Sequence, residues 1–166
     1  MAISNKLKAI YATAPANDFY IETLQILHPK LSGGSFAITN HRDGFSGIIE
    51  TGATMQFIYL PFGTIPPKTE EGGNLTLQVA LDNTSRELMD ELELMATQPE
   101  TPIVIVYRVF LNSDNTIQND PPLRLDVTGV SASSQAISFN AGLANLRNKP
   151  FPAQLYKIAN YPGLAR

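Results

Sequence analysis

Two histidines, His28 and His41, and fifteen acidic residues are the groups of this chain that could move protons or hold a metal. Nucleophilic or acid–base catalysis needs a base positioned beside an activated group. His28 precedes Pro29 at the end of an apolar run, an ordinary place for a polar turn residue. His41 opens the turn His41-Arg42-Asp43, where a local salt bridge is the expected pairing. Gly44-Phe45-Ser46-Gly47 comes near a nucleophile elbow, but its second glycine falls one position early and no strand–turn–helix surrounds it. Gly33-Gly34-Ser35 lacks the lysine and the helix of a phosphate loop. Asp114, Asp120 and Asp126 do not have calcium-loop spacing or a closing glutamate. Glu70 and Glu71 adjoin in a polar stretch and read as solvated. With no cysteine in the chain, disulfides, thiolate zinc sites and iron–sulfur clusters are excluded. The expectation is a protein that is not an enzyme, with no catalytic residue, no cofactor and no metal.

The more informative residues lie at the C-terminal end. Lys149-Pro150-Phe151-Pro152, Tyr156-Lys157 and Tyr161-Pro162-Gly163-Leu164 alternate aromatics with prolines. Proline removes backbone donors and disfavours both helix and interior strand. Phe151, Leu155, Tyr156, Ile158, Tyr161 and Leu164 carry too much apolar surface for a solvated tail. The segment from 142 onward therefore reads as an extended arm laid on a folded surface, its own or a neighbouring copy's. Residues 1–140 hold eight Lys/Arg and fifteen Asp/Glu, whereas the last 26 hold four bases and no acid. Such an arm complements an acidic body.

At 166 residues the chain suits one domain, 1–141, with the arm 142–166 appended. Only 16% of residues are charged and the net charge is −3, which gives no reason to expect nucleic acid as a ligand. No signal-peptide core and no run of membrane-spanning length is present. A soluble chain that stays in the compartment where it is made is expected.

The elements that must position these residues are mostly strands. Residues 4–14 predict a short helix capped by Ser4, with Leu7, Ile10, Tyr11 and Ala14 at helical spacing. Strands follow over 19–27, 35–39, 45–50 and 54–60, the last two as a hairpin around Thr51-Gly52-Ala53. Residues 61–73, with Pro66-Pro67 and Glu71-Gly72-Gly73, read as a long irregular loop, a binding element or a mobile one. Residues 75–81 alternate cleanly, and Thr84 with Glu87 opens a helix to 96 with an acidic outer side. Residues 103–111 read as a central strand covered on both faces, 112–122 as a polar turn region, and 123–130 with 135–140 as an antiparallel hairpin. The fold class expected is mainly β, an antiparallel sandwich or barrel with two flanking helices and the arm.

Laid end to end, these pieces resemble a family of small phage and prophage minor tail proteins. The resemblance runs through Ile21-Glu22-Thr23-Leu24-Gln25-Ile26, His28-Pro29, Thr39-Asn40-His41-Arg42-Asp43 and 57–62. It continues through Glu71-Gly72-Gly73, Leu77-Gln78-Val79-Ala80-Leu81-Asp82-Asn83, Pro150-Phe151-Pro152, Tyr156 and Tyr161-Pro162-Gly163-Leu164. Residues 36–111 also look like the amino-terminal domain of minor tail protein L of lambdoid phages. That family carries a cysteine-rich iron–sulfur domain, for which this cysteine-free chain has no residues. The resemblance implies a structural hub-type ring of a long-tailed phage tail tip, joining the tail tube to the central fibre. It implies a homotrimer, with a hexamer as the other ring order, contacting the distal tail protein and the central fibre protein. It would be made in the bacterial host cytoplasm and located in the virion, without a membrane. A distal tail ring protein at the same site, or a receptor- or carbohydrate-binding β module, is the alternative. The expected interface residues are Phe151, Pro152, Tyr156, Tyr161, Pro162 and Leu164 in the arm, and Pro66 and Pro67 in the 61–73 loop.

Overall fold

Residues 2–15, 17–69, 75–82, 87–97, 101–133 and 136–142 are described by the computed structural model. The first strand, β1 (Ala2–Ile3), is followed by α1 (Asn5–Thr13). Ser4 Oγ accepts from the Leu7 N–H at 3.1 Å and donates to Gln118 Oε1 at 2.7 Å, so the cap also fastens the helix to the body. Ala14 closes α1 in the left-handed conformation, with its N–H on the Ile10 carbonyl, immediately before Pro15.

The remaining strands are β2 (Tyr20–Leu27), β3 (Ser35–Thr39), β4 (Phe45–Ile48), β5 (Thr54–Tyr59), β6 (Phe62–Thr69) and β7 (Leu75–Asp82). After α2 (Glu87–Ala96) come β8 (Val104–Leu111), β9 (Asn119–Asp120), β10 (Leu123–Ala132) and β11 (Ala136–Gly142). Nine of them form one sheet in the order β4-β5-β3-β2-β8-β10-β11-β7-β6, and β1 pairs separately with β9. Every pairing in the large sheet is antiparallel except β3 with β5.

The mainly β fold with two helices is the architecture the sequence predicts. It is built from a single mixed sheet that does not close into a barrel. The edges explain why. At one end, β4 is capped by a loop, with the Ile48 N–H on the Asn115 carbonyl. At the other end lies β6, which corrects the expected 61–73 loop: residues 62–69 are a strand. Its pairing with β7 slips between Ile65 and Lys68, where Pro66 and Pro67 sit. Prolines are accommodated in a bulge on an edge strand, and they cannot donate to a further strand.

Period-two alternation sends successive side chains to opposite faces. On one face Leu24, Ile26, Leu77, Val79, Ile105, Ile137 and Phe139 form the main core, covered by Met95 of α2. On the same face of β8, Leu7 and Ile10 of α1 pack on Val109 and Leu111. The opposite face holds Ile21, Phe57 and Phe110, with Phe45 beside them and ring centroids 5.1 to 6.4 Å apart. β8 is thus covered on both sides, as its apolar run predicts. Each fully buried large side chain contributes about 1.5–3 kcal/mol. The 112–122 region is less solvated than expected. Asn119 is wholly buried, accepting from the Val109 N–H at 2.8 Å and donating to the Tyr107 carbonyl at 3.2 Å.

Candidate functional site

Two clusters gather the ionisable groups that the sheet buries. On the Phe110 face, the Arg108 side chain is 3% exposed and makes a two-pronged ion pair with Glu50, Nε to Oε2 at 2.9 Å and Nη2 to Oε1 at 2.8 Å. Its Nη1 donates to Gln25 Oε1 at 2.9 Å. A guanidinium is always charged, so burial requires such a fork of acceptors. The Arg108 hydrogen bonds hold the Glu50 carboxyl below its ordinary range, against the opposing effect of burial.

On the other face, Glu22 accepts from three elements. Tyr107 Oη donates at 2.7 Å from β8, Thr64 Oγ1 at 3.2 Å from β6, and Asn40 Nδ2 at 3.3 Å from the turn after β3. Burial, reinforced by the Glu22 charge, pushes the Tyr107 hydroxyl far above its usual range. A phenol held neutral this firmly is a hydrogen-bond donor rather than a base. Both clusters tie strands to one another, and among the described residues neither sets a nucleophile beside a base.

The residues singled out by type have structural partners. His41 does not form the expected salt bridge with its turn. Its Nδ1 donates to the Gly44 carbonyl at 3.0 Å, and its ring stacks on Phe19 at 5.9 Å. His28 is buried, its Nδ1 accepting from the Lys30 N–H at 3.2 Å, while Nε2 has no partner. Gly44 takes φ +70°, and a side chain at Gly47 would come within 2.7 Å of the Phe110 ring. The near-elbow 44–47 is therefore a packing motif. Asp114 accepts from Lys6 Nζ at 2.8 Å and Thr116 Oγ1 at 2.6 Å, which hold its carboxyl well below the usual range. Asp120 and Asp126 lie on β9 and β10, and no group of three His, Asp or Glu gathers for a metal among the described residues. No helix is long and apolar enough to cross a membrane among the described residues.

Four of the exposed large hydrophobic side chains among the described residues are aromatic and lie toward one end of the sheet. At the end of the sheet where β2 begins and β3, β5 and β8 finish, Tyr11, Phe19, Tyr20, Ile58 and Tyr59 are each at least 42% exposed. Tyr11 and Tyr20 meet at 5.4 Å, and Tyr59 is the register partner of Thr39, two residues before His41. Partial burial pushes the Tyr11 hydroxyl up, with smaller effects from Tyr20 and Glu22. Exposed rings concentrated at one end of a small domain are the kind of surface that proteins use for contacts. Sequence reading missed it because Tyr11 sits in the apolar stripe of α1 and Tyr20 opens a strand, positions that normally point inward. Of the expected interface, Pro66 and Pro67 lie in the β6 bulge. Phe151, Pro152, Tyr156, Tyr161, Pro162 and Leu164 lie outside the described residues.

No curated protein matches the chain significantly. A family model described as a domain of unknown function, DUF1833, matches residues 5–156, a span that covers the whole sheet and takes in Phe151, Pro152 and Tyr156. The chain belongs to the DUF1833 family.

Proposed function

We propose that this protein is a structural, non-catalytic subunit of a long-tailed phage tail tip. Copies form a hub-type ring, three in number, that joins the distal end of the tail tube to the central fibre in the virion. The observation that carries this reading is the aromatic end of the sheet. Its rings are exposed, while the buried charges are consumed in ties between strands. Surfaces of this composition anchor protein contacts, since Tyr and Phe supply large area with few rotors. The order of the sequence motifs, which resembles that of minor tail proteins, supports the particular assembly. A ring requires identical heterologous contacts that close around an axis.

The test is a surface variant, Tyr11→Ser with Phe19→Ser and Tyr20→Ser, studied by sedimentation. The expected outcome is loss of the ring species with unchanged far-ultraviolet circular dichroism. An unchanged oligomer would remove the aromatic end from the interface. The same rings favour a second reading, a glycan platform, because sugars stack on exposed aromatics. Glycan-array binding that the triple variant abolishes, in a protein that stays monomeric, would select that reading instead.

A further inference from the structure

Glu22 is a half-buried carboxylate that no cation matches. Its partners Tyr107, Thr64 and Asn40 are neutral donors, and it enters no ion pair among the described residues. The two oxygens are unequally served. Oε1 takes the short Tyr107 bond at 2.7 Å, whereas Oε2 holds only Asn40 at 3.3 Å and the shared Thr64 hydroxyl at 3.4 Å. A carboxylate offers about four acceptor positions, so Oε2 keeps room for a stronger donor. A charge partly withdrawn from water and left without its opposite attracts any cation that can reach it. Two aromatic rings stand beside it. Tyr20 and Glu22 are two apart on β2 and share a face. Their register partners on β8 are Leu111 and Val109, on which Leu7 and Ile10 of α1 pack. The helix thereby brings Tyr11 to Tyr20, with ring centroids 5.4 Å apart and planes tilted at 59°. Burial, then the Tyr20 and Glu22 charges, raise the Tyr11 hydroxyl, so the carboxylate lies within electrostatic reach of that ring. Tyr11 is 54% and Tyr20 42% exposed, which leaves ring surface open to a ligand.

We propose that Glu22, Tyr11 and Tyr20 form a receiving site for one arginine side chain of a partner protein. An arginine suits both halves of the site together. Its planar guanidinium forks onto a carboxylate and stacks on an aromatic face. A cation over a tyrosine ring is also held by the ring quadrupole. Lysine meets the charge, but its compact ammonium lacks the planar stack. Tyr107, Thr64 and Asn40 are positioning residues. They hold the carboxylate from three separate elements, so it does not have to be ordered when the ligand arrives. The wider charge agrees in sign, since residues 1–140 hold fifteen acids against eight bases. The site rests on the reading of the aromatic end as a contact surface, and it adds the chemistry that the partner must present there.

The test titrates the full chain with N-acetyl-arginine amide, following the tyrosine ring signals by NMR. The lysine amide and the citrulline amide, which keeps the shape of arginine without its charge, are the comparison probes. The expected result is a saturable shift of the Tyr11 and Tyr20 rings by the arginine probe, with half-saturation about tenfold higher for the other two. Glu22→Gln keeps an acceptor for Tyr107 and removes only the charge. It should raise the half-saturation concentration for arginine about tenfold, as loss of one charge-assisted contact does. Tyr20→Leu, at an exposed position that does not decide folding, should weaken the arginine response in the same direction. A citrulline response equal to that of arginine, or an unchanged response in Glu22→Gln, would overturn the site. A lysine response as strong as that of arginine would overturn the guanidinium assignment. The outcome is separate from that of the assembly test. An unchanged oligomer in the triple serine variant removes the ring contact, whereas an unselective titration removes the arginine site.

Discussion

Arg108 shows how one residue fixes the relation between two layers. Its guanidinium is buried in the face that β4, β5 and the Glu50 turn cover, and the Glu50 carboxylate supplies two of its three acceptors. Replacing Arg108 by leucine should destabilise the fold by about 2–3 kcal/mol, less than a fully buried pair because the Glu50 side chain is 39% exposed. The pH dependence follows from the depressed Glu50 carboxyl. Its contribution is fully present above the ordinary value of 4.5 and is lost as pH falls through the lower folded value. Asp114, depressed by Lys6 and Thr116, adds to the same acid limb. Thermal melts from pH 7 to pH 2 should therefore show a shallower acid limb for Glu50→Gln than for the parent, and parallel curves would contradict the role. Gly47→Ala tests the opposite kind of constraint. A methyl group 2.7 Å from the Phe110 ring should cost about 1–3 kcal/mol by overpacking, a drop of about 2–10 °C at this chain length.

At the scale of elements, the legible strands are those whose alternation matches their burial. β7 and β11 follow the pattern because one face is core and the other is wet. β8 reads as an unbroken apolar run because both its faces are covered. Arg108 inside that run is a signal of a buried partner, although the sequence does not name Glu50, 58 residues away. β6 is illegible for a specific reason: Pro66-Pro67 is a loop signature everywhere except in an edge bulge, and which strand lies at the edge is a property of the topology. β1 and β9 are two residues each, too short to show a period. The aromatic end is hidden for a similar reason, since three separate elements bring its rings together. The prolines of β6 also protect an edge. Pro66→Thr with Pro67→Thr should keep the melting transition of the domain but raise concentration-dependent, thioflavin-positive association. No increase in light scattering would show that the bulge protects nothing.

The whole molecule joins one nine-stranded sheet to apolar side chains left exposed among the described residues. Glu22 gathers β6, β8 and the β3 turn, drawing the far edge of the sheet toward its middle. With interior charges engaged this way, the exposed rings at one end and the groove beside α2 are open surfaces among the described residues. Under the proposed function, the rings make the contacts between copies and with tail partners. The most direct measurement is native mass spectrometry of the full-length protein, alone and mixed with purified tail-tube and fibre proteins. A closed ring, three copies by the account above, and its capture by those partners is the predicted result. A monomer that persists at every concentration and gains neither partner would contradict it.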